Sequence, residues 1–144
     1  MVKNMNKENI ILSNNISSKS FCELRETVGF QKLNSEQAEC ILSNTTYIIS
    51  AVYDEKHIGL ARLLFDYGTD AYITDVIVHP DYQGYGIGSI LINNILDYIK
   101  SHSYAGLNVA CSLYANIGKE AFYEKFGFKK LPNSKYGYGM LIEV

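Results

Sequence analysis

Apolar residues along the chain are spaced first as in helices and then as in strands. Phe21, Leu24 and Val28 recur at steps that put them on one helical face, and Gly29 follows as a stop. Ser20 and Glu23 stand at the front as a capping box, in which hydroxyl and carboxylate each satisfy a free helix-start N–H. Asn34 and Gln37 repeat that signal, with Ala38, Ile41 and Leu42 as the buried stripe of a second helix. From Thr46 the texture changes. Residues 46–53, 58–65 and 72–79 are rich in β-branched and aromatic side chains. The polar turns between them, 54–56 and 66–70, are of hairpin length, which predicts three consecutive antiparallel strands. The third is apolar on both faces apart from Thr74 and Asp75, as befits a central strand covered on both sides.

Ile87, Ile90, Leu91, Ile95 and Ile99 then mark one face of a long helix, and Leu107, Val109, Cys111 and Leu113 alternate as a strand. A helix between two such strands makes a βαβ unit and a parallel pair. A last helix is expected over 116–126, ended by Gly127, and a last strand over Gly139–Val144; Ile10–Leu12 supplies a first strand. The fold class is therefore α/β, a mixed sheet with helices on both faces in the order β-α-α-β-β-β-α-β-α-β.

With 144 residues and no linker or repeat, the chain reads as a single domain, 1–144. A net charge of -2 offers no strong positive field for a nucleic-acid backbone. Cys22, Cys40 and Cys111 are widely spaced with no C-x-x-C, so neither a disulfide framework nor a metal site is expected. The first twenty residues hold only a short apolar run, Ile10-Ile11-Leu12, too short for a signal peptide or a membrane span. The expectation is a soluble cytoplasmic protein with no membrane partner.

The informative stretch runs from Asp75 to Ser89. A strand ends at Pro80, Gly84, Gly86 and Gly88 alternate through a turn, and a helix starts at once. Glycines let backbone approach a ligand closely, and a helix start presents unpaired N–H groups with positive dipole character. Together they make an anion cradle suited to phosphate. The dinucleotide spacing G-x-G-x-x-G fails, because Ser89 stands where its last glycine belongs, and a P-loop fails for want of a lysine. The pattern that remains is Q-x-x-G-x-G, here Gln83-Gly84-Tyr85-Gly86-Ile87-Gly88.

With that loop, and with Asn116 and Tyr123 downstream in Ala-Phe-Tyr-Glu-Lys-Phe-Gly-Phe128, the chain resembles the GCN5-related N-acetyltransferases over about residues 46–128. The resemblance implies acetyl-CoA as co-substrate and no metal. Residues 83–89, including Tyr85, Ile87 and Ser89, would hold its pyrophosphate through main-chain N–H groups. Strand residues Val76, Ile77 and Val78 would splay from the parallel strand near Cys111 and bond the pantetheine arm. A backbone N–H of the same strand would face the acetyl oxygen. Asn116 would contact the cofactor, and Tyr123 would protonate the departing thiolate. The general base departs from well-known relatives, since Thr74 and Cys111 occupy the expected places; Asp75 and His79 are the nearby candidates.

Each residue also has a plainer reading. Asp75 could bond backbone within its strand, His79 could shape the turn before Pro80, Asn116 could be a helix N-cap, and Cys111 a small core residue. Lys125, Lys129, Lys130 and Lys135 read as a solvated face, or as neutralisers of the cofactor's 3′-phosphate. The expected activity is acetyl transfer to a small primary amine by direct attack in a ternary complex. The alternatives are a catalytically idle acyl-CoA-binding module, or an acetyltransferase of a protein N-terminus or an amino-sugar phosphate. Arginine is scarce, Arg25 and Arg62 only, which weakens the sugar-phosphate acceptor. The resemblance also allows a homodimer.

Overall fold

The computed structural model describes residues 4–144. Its elements are β1 (Ile11–Ser13), α1 (Ser18–Thr27), α2 (Ser35–Ser43), β2 (Tyr47–Tyr53), β3 (Lys56–Phe65), β4 (Asp70–Val78), α3 (Ile87–Ser101), β5 (Ala110–Ser112) and α4 (Glu120–Glu124). Two compact units are distinguished, residues 1–113 and 114–144.

The first unit is built on a five-stranded sheet in the order β1-β2-β3-β4-β5. Its first four strands pair antiparallel and the last pair is parallel, as the βαβ reading requires. Asp54 and Glu55 both have positive φ (48° and 62°) between the paired Tyr53 and Lys56, the backbone that a two-residue hairpin loop needs. Phe21 and Leu24 of α1, Ala38 of α2, Leu60 and Ile77 form one core cluster. Ile87, Leu91, Ile92, Ile95 and Ile99 are the buried stripe of α3, which packs against β2, β3 and β4. Gly59 permits that packing: a Cβ there would lie 3.0 Å from the Ile77 carbonyl oxygen and 3.1 Å from Ile87 Cγ2.

Four boundaries differ from the sequence expectation. Helix α1 is capped by Ser17, whose Oγ accepts from Ser20 N at 3.1 Å, rather than by Ser20. The earlier start brings Ile16 against the core cluster, where it serves as the apolar residue before the cap. The box at Asn34 and Gln37 forms as read. Strand β5 is short because its register opens with Ala110 opposite Asp70, the first residue of β4, leaving Leu107 and Val109 nothing to pair with. Helix α4 starts after Gly118, whose φ of 85° ends any helix begun at Asn116. The last strand, Gly139–Val144, does not form: Met140, Leu141, Ile142 and Val144 are exposed, and an apolar run without a neighbouring ladder makes no strand.

Candidate active site

Strand β4 departs from strand geometry at one residue. Asp75 has φ +47°, in the left-handed region that Asp tolerates better than most side chains. The register slips there too: Leu60 faces Ile77 and Arg62 faces Thr74, so Ala61 stands opposite both Asp75 and Val76, a bulge. On its other side β4 pairs with β5 only at 70–72. Among the described residues no β4–β5 pair follows Tyr72, so Val76, Ile77 and Val78 lie past the end of that ladder.

The Asp75 carboxylate has a guanidinium on each oxygen. Arg25 Nη1 of α1 donates to Oδ1 at 2.8 Å, and Arg62 Nε of β3 donates to Oδ2 at 2.7 Å. The three side chains are 12%, 11% and 8% exposed in the order Arg25, Arg62, Asp75. Arg62 Nη1 also donates to Thr45 Oγ1 at 2.8 Å. Arg25 Nη2 donates to the Gln31 carbonyl at 3.3 Å, and its guanidinium lies 5.5 Å from the Phe21 ring centre and 5.4 Å from that of Phe30. Arg25 Nε is buried without a hydrogen-bond partner, which costs about 1–3 kcal/mol. This geometry is at odds with the general-base expectation for Asp75. A base must turn a lone pair to the amine, and both oxygens here face arginine. His79 takes its plainer role, with Nδ1 accepting from Asp81 N at 3.1 Å to cap the 3₁₀ turn 80–82.

The glycine turn follows. Gly84 and Gly86 have φ of 85° and 81°, and Gly86 is the N-cap of α3. No side chain caps that start, so the first N–H groups of a 15-residue helix, from Ile87 through Gly88 and Ser89, face outward with the positive end of its dipole. Ile87 contributes only main chain, because its side chain is buried. Gln83 Nε2 donates to the Val78 carbonyl at 3.0 Å, tying the loop to the strand end and occupying one of the groups expected to hold the pantetheine arm. A Cβ built on Gly86 would find Lys7 Nζ 4.0 Å away, so an ammonium stands beside the turn. Lys7 is placed by a 3₁₀ turn (7–9) that Asn6 caps and by the buried Met5 before it. Main-chain donors, the room left by glycine and one cation suit a diphosphate.

Two candidates lie in the second unit. Asn116 sits in the turn before α4 and is exposed; Lys119, not Asn116, occupies the N-cap position, so the N-cap reading fails. Tyr123 is half-buried within α4, edge-on to Phe122 and Phe128, and burial raises its pKa above the ordinary tyrosine value. Burial pushes the Cys111 thiol up to about 11, which leaves it protonated and unreactive in the neutral range. Ser50 Oγ lies 2.6 Å from His57 Nδ1 but also donates to the Gly59 carbonyl and is fully buried, which makes that pair structural.

Residues 14–128 match the family model described as Acetyltransferase (GNAT) family. The chain belongs to the GNAT family. The uncharacterized N-acetyltransferase ycf52 of Pyropia yezoensis is 31% identical over 85% of this chain and 71% of its own length. SA2161 of methicillin-resistant Staphylococcus aureus superposes with a TM-score of 0.81 at 30% identity, covering 94% of this chain and 99% of its own. Glucosamine-6-phosphate N-acetyltransferase of Arabidopsis thaliana shares the fold at 18% identity and a TM-score of 0.67, over 88% of this chain and 97% of its own. As a GNAT protein the chain is an acyltransferase, and the family uses acetyl-CoA as co-substrate. Among the described residues no helix is long and apolar enough to cross a membrane, and no cluster of His, Cys, Asp and Glu could hold a metal.

Sequence reasoning missed Lys7, Arg25 and Arg62 as parts of this site. For the arginines a signal existed. A lone Asp in an apolar central strand demands a cationic partner, and the chain has only two arginines. Nothing in the sequence connects Lys7 with Gly86.

Proposed function

We propose that residues 1–144 act as one domain that transfers an acetyl group from acetyl-CoA to a small, unphosphorylated primary amine. The observation that carries this reading is the uncapped start of α3 behind Gly84 and Gly86 in a GNAT chain. When bound, acetyl-CoA supplies the acetyl group activated as a thioester. Main-chain N–H groups of 84–89 hold the diphosphate, with Lys7 beside them and Asn116 as a further contact. Main-chain N–H groups along 76–78 meet the acetyl oxygen and stabilise the charge that develops on it. The amine nitrogen bonds to the carbonyl carbon as the C–S bond breaks. Its surplus proton passes to water, Tyr123 gives a proton to the sulfur, and the tyrosinate left behind regains one from water. The raised pKa of Tyr123 keeps that proton in place throughout the neutral range.

Both arginines are committed to Asp75, so none remains to form the paired bonds that recognise a phosphate. This favours an unphosphorylated acceptor over an amino-sugar phosphate. One observation favours the idle acyl-CoA-binding module: both oxygens of Asp75, the carboxylate expected as base, are paired with arginine. Thiol release from acetyl-CoA across a panel of primary amines separates these readings. Turnover of an unphosphorylated amine is expected, with kcat lowered at least about 100-fold in Tyr123→Phe. Turnover confined to glucosamine 6-phosphate overturns the acceptor assignment. Tight binding of acetyl-CoA with no turnover of any amine makes the module idle.

A further inference from the structure

We infer that Asp75 is a positioning residue: clamped between Arg25 and Arg62, it holds the β4 bulge and so aims the strand's main-chain donors at the acyl thioester. The inference rests on the acetyltransferase reading and deepens it.

The left-handed residue lies inside a strand, where no turn calls for it, and coincides with the register slip that puts Asp75 and Val76 opposite Ala61. Its carboxylate joins elements far apart in the chain. Arg25 comes from the helix that follows the first strand, and Arg62 from the strand paired with β4. Each oxygen has its own donor at 2.8 Å or 2.7 Å, so the carboxylate is fixed in rotation as well as in place. The donors are themselves held, Arg62 by Thr45 and Arg25 by the Gln31 carbonyl between two phenylalanine faces. All three side chains are about nine-tenths buried, which shields the pairs from salt. Residues 76–78 follow the clamp directly, on the stretch of β4 past the end of its ladder with β5. A rotation at Asp75 would therefore swing the donors that a transition state needs, and small misplacements of such groups cost large factors in rate.

The deciding experiment compares wild type, Asp75→Asn and Arg25→Lys. Asparagine also tolerates positive φ, so the first variant removes charge without changing the backbone preference. The second keeps a cation but loses the fork, and it leaves the Asp75 carboxylate in place. Expected for each is a fall in kcat of about 10- to 100-fold, a change in acetyl-CoA affinity below about threefold, and a pH–rate profile of unchanged shape. The infrared carbonyl stretch of bound 1-¹³C-acetyl-CoA, lowered by donors in wild type, should move back toward its solution value. If Asp75→Asn does not fold, Arg25→Lys alone decides. Wild-type kcat and carbonyl frequency in Arg25→Lys overturn the inference while leaving the acetyltransferase reading intact. Loss of the acidic limb of the profile in Asp75→Asn would restore Asp75 as a base and overturn it too. Failure of wild type to bind acetyl-CoA removes the parent reading instead.

Discussion

Gly86 and Asp75 lie on one strand–turn–helix segment, and both hold backbone in the left-handed region, at φ of 81° and 47°. They reach it by different chemistry. At Gly86 the absence of a Cβ removes the penalty, and the space in front of the helix stays open apart from Lys7. At Asp75 the side chain is retained, and two ion pairs reaching from α1 and β3 hold it. Under the proposed function the turn has to leave room for a phosphate, whereas the bulge has to hold its main-chain donors still. Glycine supplies room and charge supplies rigidity. The two devices should therefore fail differently, one in binding and the other in turnover.

The largest effect is expected at the turn. Gly86→Val places a β-branched side chain where φ is 81°, a conformation such residues almost never adopt. The turn must relax to a negative φ, and the first N–H groups of α3 swing away from the diphosphate. Coenzyme A affinity measured by calorimetry should fall about 100-fold or more. Circular dichroism should show the fold retained, since Gly86 is exposed. Unimpaired binding would refute the cradle.

A glycine at the bulge sharpens the contrast. Asp75→Gly makes the left-handed backbone free of strain, and pairing it with Arg25→Met leaves one buried guanidinium over instead of two. If backbone conformation alone set the bulge, kcat would stay within about threefold of wild type. The clamp predicts a loss of about 30-fold with coenzyme A binding nearly unchanged. Steady-state kinetics under saturating acetyl-CoA tells these apart.

The same contrast explains what could be read from the chain. Gly84, Gly86 and Gly88 carry their function in local spacing, so both the turn and the helix after it were legible. The hairpins were legible because Asp54–Glu55 and 66–69 are local as well. The arginine clamp joins positions 25, 62 and 75, which no periodicity connects. The sequence marks Asp75 as unusual without supplying its partners, which is why a base is the reading it suggests. At the C-terminal end the apolar run in Gly139–Val144 predicts a strand, but a strand exists only where another backbone stands beside it.

The smallest effect concerns Lys7, which lies between the two devices in kind, being a charge placed where glycine made room. Lys7 is exposed, and its Nζ stands 4.0 Å from where a Gly86 Cβ would be. An exposed pair with a diphosphate is worth about 0.2–1 kcal/mol, so Lys7→Ala should raise the Kd for coenzyme A by no more than about fivefold. Salt decides whether that change comes from charge. Between about 0.05 M and 0.5 M salt the difference between wild type and Lys7→Ala should shrink, because exposed charges are screened. The clamp at Asp75 is buried, so kcat should be insensitive to the same range. S-acetylpantetheine, which lacks the diphosphate, should bind both proteins equally. A Lys7 effect that survives high salt, or that persists with S-acetylpantetheine, would mean that the lysine holds the N-terminal turn in place and does not act on the phosphates.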